Sequence, residues 1–322
     1  MVRLFIRRLA QAVPLVLAIS MVTFVAVHLA PGDPLTGLLE NPHISPETVE
    51  AIRHRLGLDL PLSRRYLRWL SHALQGDFGY SIEYLTPISA LLPTRILNTL
   101  ILSLTASGIA WAVGVPLGII AAVGQNRWIG RAHTLFVTLA LATPRIFLAL
   151  LALGLAATTG WFPIGGMRAV AGEAADWMSR TADLLHHLVL PALVLSLSPM
   201  AMISGHLRAA LSEVVSLDFI RTARAKGLPR RVILRNHALR NALGPLLMLL
   251  GYSIGNLLSG SAVVETVMAW PGIGRLTVEA VFARDSDLIL ATVVLASVLL
   301  IVGNLIADVV LLTVDPRVRI RA

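Results

Sequence analysis

Six long apolar stretches alternate with polar connections along the chain. They lie at residues 9–30, 96–123, 134–159, 188–205, 241–264 and 288–312. A helix needs about 20 mainly apolar residues to cross a hydrocarbon core. The pattern therefore predicts an all-α, polytopic membrane protein with about six transmembrane helices, organised as one transmembrane domain over residues 1–322. Arg3, Arg7 and Arg8 precede the first stretch. Its apolar core is too long for a cleaved signal peptide and no small-x-small site follows, so it reads as an uncleaved anchor. The third stretch is interrupted by Arg145, the fourth is shorter and broken by Pro191 and Pro199, and Asp308 sits near the end of the sixth.

Pro14, Pro116, Pro144, Pro191, Pro199 and Pro245 all fall in these stretches. Proline is tolerated at membrane depth when neighbouring helices re-satisfy the freed backbone groups. Gly114-x-x-x-Gly118 and Gly251-x-x-x-Gly255 offer faces where helices can approach closely. Bent helices packed on each other or on a second subunit are expected.

The longest polar connection, residues 31–97, opens on the turn cluster Pro31-Gly32-Asp33-Pro34. A short helix is signalled after it, with Ser45 as N-cap, Pro46 in the first position, and Gly57 past the end. A second is expected from Arg64 to Gln75, capped by Ser63 and closed by Gly76-Asp77-Phe78-Gly79. Its apolar side is Tyr66, Trp69, Leu70 and Leu74, and its solvated side Arg64, Arg65 and Arg68. Such helices suit a membrane interface or a small lid.

Residues 206–240 form a basic connection with its own structure. Ser216 serves as cap and Asp218 as a favourable first-turn acid. Phe219, Ala223 and Gly227 share one face, and Gly227-Leu228-Pro229 ends the helix. A further helical stretch, Arg231 to Arg240, leads into the fifth span. The segment reads either as a solvated positive loop or as a docking knob whose small residues, Thr222, Ala223 and Ala225, permit close approach.

Composition then narrows the function classes. Hydrophobic residues make up 56% and charged residues 14%, with a mean hydropathy of +0.76. Soluble domains carry about 25% charged residues. Soluble enzymes, disordered chains and coiled coils are excluded on these grounds. No cysteine is present, so disulfides and thiol chemistry are excluded too. The net charge of +9 admits a nucleic-acid reading until the basic residues are placed. With the N-terminus cytoplasmic, sixteen fall on the cytoplasmic side and four in the short opposite connections. Arginine and lysine collect on cytoplasmic loops. The charge is topogenic, both termini are expected in the cytoplasm, and nucleic-acid binding loses its support.

The stretch Asp218-Phe219-Ile220-Arg221-Thr222-Ala223-Arg224-Ala225-Lys226-Gly227 resembles the cytoplasmic signature of ABC transporter permeases, and within them the dipeptide/oligopeptide permease branch. Only Ala223 and Gly227 match the broader E-A-A…G form of the signature, a departure the peptide branch shares. Pro31-Gly32-Asp33-Pro34, Leu56-Gly57-Leu58-Asp59, Gly76-Asp77-Phe78-Gly79-Tyr80-Ser81, Trp270-Pro271-Gly272-Ile273-Gly274-Arg275 and Asp315-Pro316-Arg317-Val318-Arg319 resemble further motifs of that branch, of the first of its two permease subunits. The resemblance implies the type I ABC importer permease fold in a bacterial cytoplasmic (inner) membrane. It implies a second homologous permease subunit, two cytoplasmic ABC ATPase subunits and an extracytoplasmic solute-binding protein. Residues Asp218, Arg221, Thr222, Ala223, Arg224, Ala225, Lys226 and Gly227 would couple to an ATPase. Di- or oligopeptides are the implied substrate, with nickel, glutathione and glycosides as alternatives in the same importer class.

No catalytic residue, metal site or cofactor is expected on the chain, with ATP and magnesium on partner subunits. A P-loop needs Gly-Lys-[Ser/Thr], and Lys226, the single lysine, sits between Ala225 and Gly227. Ion-coupled carriers use acids within the membrane, and none lies mid-span here. A membrane enzyme would need more than His186, His187, Ser204 and His206, which have neither metal-ligand nor protease spacing. Arg145 is the local anomaly, since a central arginine costs about 2.5–3.5 kcal/mol on insertion. It is expected to line the translocation path and meet a carboxylate of the substrate or of Glu265, or else to pair with the partner permease. The semi-apolar 264–287 segment is expected to form a partly re-entrant gate containing Glu265, Trp270 and Arg275, with a helix over 273–283 that pairs Arg275 with Glu279.

Overall fold

Helices carry the apolar stretches. The computed structural model describes residues 2–29, 45, 47, 60–124, 126–169 and 176–314. In chain order the elements are α1 (Val2–Leu29), α2 (Leu62–Ala73), the short strands β1 (Tyr80–Ser81) and β2 (Thr86–Pro87), and α3 (Ile88–Val123). Then come α4 (Arg127–Ala142), α5 (Arg145–Thr159), α6 (Trp177–Val215) and α7 (Asp218–Ala225). A turn at Arg230–Val232 and a π-helical segment, Ile233–Ala238, lead into α8 (Leu239–Val267), followed by α9 (Ile273–Ala283) and α10 (Ser286–Val314). Among the described residues, α1, α3, α6 and α10 are each long and apolar enough to cross a membrane, and α4 and α5 reach that length and apolarity only together, as a bent pair that forms a broken span or a re-entrant loop. Helix α8 covers the stretch expected as another span. The turn at 31–34, the helix expected over 45–57 and the motif at 315–319 lie outside the described residues, as do the side chains of Asp308 and of the Gly251-x-x-x-Gly255 region.

Several boundaries differ from the sequence expectation. Pro191 and Pro199 do not break the fourth span: both lie buried inside the 39-residue α6. Each proline removes one donor, and a long helix mostly enclosed by neighbours keeps its remaining ladder. The break falls instead in the third span. Pro144 has no N–H to give and holds Thr143 extended at φ −84° and ψ 124°. The chain turns by 103° there. Arg145 therefore stands in the first position of α5 rather than in mid-helix. Helix α2 starts two residues early, after Pro61, so Ser63 lies in the first turn and caps nothing. Arg65 is half-buried with Tyr66, while Leu74 is exposed.

The chain forms two units. The first comprises Met1–Leu97 and Gly272–Leu299. Helix α1 exposes Val13, Leu15, Met21 and Val22. Its Ser20 and Phe24 are covered, with Ser20 Oγ 2.9 Å from Tyr66 Oη and the Phe24 and Tyr66 rings 5.4 Å apart. The core of this unit joins Ile88 and Leu92 to Leu276, Ala280, Leu288 and Ala291. The motif at 76–81 becomes a tight turn. Asp77 accepts from the Gly79 N–H and from His72, and both hold its carboxyl below the usual range. Gly79 has φ +86°, and a Cβ there would meet Asp287 Oδ2 at 2.8 Å.

Asp285 organises this end of the unit. Its carboxylate accepts from Ser81 Oγ at 2.7 Å, Ile82 N at 2.8 Å and Leu288 N at 3.2 Å, and it is 1% exposed. One buried acid thus ties the β1–β2 turn to the start of α10. Asp285→Ala leaves these donors unmatched, so a loss of about 3 kcal/mol in unfolding free energy is expected. Denaturant titration of the purified protein checks it, with Asp77→Ala, on an exposed side chain, as the mild comparison.

The second unit comprises Asn98–Pro271 and Leu300–Ala322. Helices α3 and α6 meet through the Gly114-x-x-x-Gly118 face. A Cβ on Gly114 would lie 2.9 Å from Met200 O, and one on Gly118 would lie 2.8 Å from Ser204 O. Of the two expected close-packing pairs, Gly114 and Gly118 are therefore used inside the chain. Two apolar cores flank this contact. One gathers Leu102, Ala149, Leu188, Leu195, Val264 and Trp270. The other gathers Ile203, Leu207, Leu211, Ile220, Ile233 and Leu246.

Candidate functional site

The sequence points to two places in the second unit, the α7 knob and the turn after α8. Helix α6 ends at Val215, and Ser216 closes it by donating from Oγ to Glu213 O at 2.6 Å. Ser216 is thus a C-terminal residue of α6, and Leu217 precedes α7 without a side-chain cap. Asp218 occupies the first turn as expected, where a carboxylate faces the positive helix end. The inward face is Ile220 and Ala223, at 0% and 6% exposure. Phe219, expected on that face, is exposed instead. Residues three apart share a helix face as well as residues four apart, and the larger apolar contact at Ile220 selects the register.

The opposite face is open. Asp218, Arg221, Thr222, Arg224, Ala225 and Lys226 are all exposed. Arg221 Nη1 reaches Asp218 Oδ1 at 3.2 Å, an exposed pair that contributes little. The end of α7 is a Schellman turn: Gly227 N donates to Arg224 O and Leu228 N to Ala223 O. Gly227 has φ +73°. Arg230 then donates to Val123 O at the end of α3 at 2.6 Å, and Ile233 and Ala238 of the π-helical segment join the same core as Ile220. The further helical stretch expected at 231–240 is this π-helical entry into α8. The apolar side of α7 thus packs against the π-helical segment leading into α8 and shares a core with α6, while Arg230 reaches the end of α3. Gly227→Ala is expected to cost about 1–2 kcal/mol, because a Cβ strains the left-handed conformation, and to make α7 more susceptible to limited proteolysis.

The turn after α8 is buried and polar. Glu265 is 0% exposed and accepts from Thr99 Oγ1 at 2.7 Å. Trp270 is also 0% exposed, and its Nε1 donates to Asn98 O at 3.0 Å. Asn98 Nδ2 in turn donates to Pro271 O at 2.8 Å. Ala269 has φ +54°, a left-handed conformation costly for a residue with a Cβ. Gly166 N donates to Met268 O at 3.0 Å, and Gly165 lies so close that a Cβ would meet the same oxygen at 2.8 Å. The irregular backbone is thus largely covered by protein, with Met268 and Trp270 buried and Ala269 half-buried.

Two further candidates are Arg145 and Arg275. Arg145 is half-buried, and its guanidinium lies against Gly260 in space that any side chain at 260 would fill. The turn at Pro144 aims Arg145 at Gly260, and Thr99 donates to Glu265. Arg275 belongs to the first unit, on α9, where its Nε donates to Glu279 Oε1 at 2.7 Å. Tyr84 donates to the other Glu279 oxygen, and Arg95 lies 5.8 Å over its ring. Burial, then the Glu279 bond, push Tyr84 up to about 12, so it stays a donor at any physiological pH. His187 is buried on α6 with its Nδ1 2.9 Å from Asp183 O. Among the described residues no group of three or more histidines and acids converges as a metal site. Asn98, Thr99 and Asp285 escaped the sequence reading. Two adjacent polar residues at the start of an apolar span were the available signal for the first pair.

Comparison with known proteins agrees with this architecture. The family described as binding-protein-dependent transport system inner membrane component matches residues 114–320. Its N-terminal counterpart matches residues 1–86. The oligopeptide transport system permease protein AppB of Bacillus subtilis is 39% identical over 315 residues, covering 97% of this chain and 98% of the relative. The glutathione transport system permease protein GsiC of Escherichia coli K12 is 36% identical over 322 residues, covering 99% of each chain. In fold, the chain resembles a chain of the inward-facing MetNI methionine ABC transporter, with a TM-score of 0.57 and 18% identity over 70% of this chain and 96% of that one. The all-α, multi-pass architecture is the type I permease fold. With both family segments matched and relatives aligned end to end, the chain belongs to the inner membrane components of binding-protein-dependent transport systems.

Proposed function

We propose that this chain is the first permease subunit of an ATP-driven importer for di- or oligopeptides, with α7 as the surface on which a cytoplasmic ATPase docks. The observation that carries the reading is the division of α7: Ile220 and Ala223 are locked into the α6–α8 core, while Thr222, Arg224, Ala225 and Lys226 face outward. A displacement of that outer face by an ATPase is carried into α3, α6 and α8 through packed contacts, the kind of two-state element that ATP can bias. ATP and magnesium are bound by the partner. A second, homologous permease completes the path and a solute-binding protein delivers the substrate. Peptides are favoured by the relatives named for oligopeptide and glutathione transport, glutathione being itself a small peptide. The excess of basic residues in the connections around 124–133 and 206–240 favours termini in the cytoplasm.

Arg145 is assigned to the translocation path, as a cation at a helix break that meets the carboxylate of a peptide. Glu265 and Trp270 hold the strained turn that borders it, and Arg275 with Glu279 is assigned to the gate on the first unit. Reconstitution of the four-subunit complex with its binding protein tests the reading: ATP-dependent uptake of labelled di- and oligopeptides is expected. Uptake by this chain alone under an ion gradient contradicts it. Arg145→Gln with normal assembly and unchanged uptake removes Arg145 from the path.

A further inference from the structure

Beyond the α7 knob, the second unit has an open cleft of about 700 Å³ beside the start of α4. Three arginines line it, Arg127 and Arg131 from α4 and Arg208 from α6, and no carboxylate lines it among the described residues. Arg208 is fixed in place: its Nη1 donates to Thr134 Oγ1 at 2.8 Å and to Gly130 O at 3.2 Å. It lies along α4 where Gly130 leaves room, since a Cβ at 130 would stand 3.2 Å from Nη2. Arg127 and Arg131 remain exposed at the mouth, with the Arg131 guanidinium 5.3 Å over the Trp128 ring.

Like charges gathered on one wall repel each other unless an anion joins them. The surroundings specify the anion. Trp128 is 71% exposed, as an aromatic at a membrane–water boundary is. Leu135 and Leu139 continue the same α4 face and are exposed at 60% and 56%. Positive heads, an interfacial tryptophan and an apolar strip follow one another along a single helix face. We propose that this cleft binds the phosphate headgroup of an anionic phospholipid, with its acyl chains lying along Leu135 and Leu139. A free phosphate shares the headgroup chemistry and makes no use of the apolar strip.

The test is native mass spectrometry of the full chain in a neutral detergent, titrated separately with phosphatidylglycerol, phosphatidylcholine and inorganic phosphate. Phosphatidylglycerol is expected to be retained in preference to phosphatidylcholine. Arg127→Gln with Arg131→Gln is expected to weaken its retention about thirtyfold, roughly fivefold per arginine. The Arg131→Lys variant, which keeps the charge, is expected to retain most of it. Equal retention of the two lipids, an unchanged double variant, or displacement of phosphatidylglycerol by inorganic phosphate but not by matched chloride each overturns the proposal.

Discussion

Replacing Trp270 by alanine is expected to lower the unfolding free energy by about 4 kcal/mol, in the range for removing a large buried aromatic. Trp270 is fully enclosed in the core that holds Leu102, Leu188, Leu195 and Val264. Its ring fills the space under a turn that the backbone does not favour by itself, with Ala269 in a left-handed conformation. Its Nε1 ties that turn to Asn98. Truncation removes both the volume and the tie. Trp270→Phe keeps most of the volume and loses the hydrogen bond, so a cost of about 1–2 kcal/mol is expected. Unfolding in mixed micelles, followed by far-ultraviolet circular dichroism, measures both. Equal and small effects would mean that the turn is held by other contacts.

Gly118→Leu is expected to cost about 3 kcal/mol, at the upper end for overpacking. The obstruction is backbone: a Cβ on Gly118 meets Ser204 O at 2.8 Å and Ser204 Cα at 3.2 Å, and neither can swing aside. Helices α3 and α6 would have to separate along their whole contact, which also carries Gly114. Gly108 is the internal comparison. It lies on α3 with nothing within 4 Å of an added Cβ, so Gly108→Leu is expected to be neutral. The yield of folded, monodisperse protein after solubilisation separates the two. A normal yield for Gly118→Leu would place the α3–α6 contact elsewhere.

The helices were legible from the sequence because about 20 apolar residues in a row have few alternatives to a membrane helix. Proline was the weak point. Pro191 and Pro199 looked like breaks and are not, whereas Pro144 is a sharp corner. The residue type is the same, so the difference lies in tertiary support: α6 is mostly enclosed, while α4 and α5 keep large exposed faces. Asp218 and Gly227 mark the ends of the α7 helix and Ala223 faces inward as expected, but Ile220 takes the inward place expected for Phe219. Both are apolar, and eight residues are too few for periodicity to choose between them. The Asp285 anchor was not legible. Its partners Ser81 and Ile82 are some 200 residues away in sequence, and a local pattern carries no such information. The Arg275–Glu279 pair was legible for the opposite reason, because it is a local i,i+4 contact.

The outer face of α7 is proposed to meet an ATPase. The absence of cysteine allows a direct test with single cysteines at Thr222, Ala223 and Ala225, each carrying a photoreactive thiol label in the assembled complex. Covalent adducts with the ATPase are expected from 222 and 225, which are exposed, and not from 223, which faces the core. Adducts from 223 in place of 222 and 225, or no ATPase adduct from any of the three, would contradict the account.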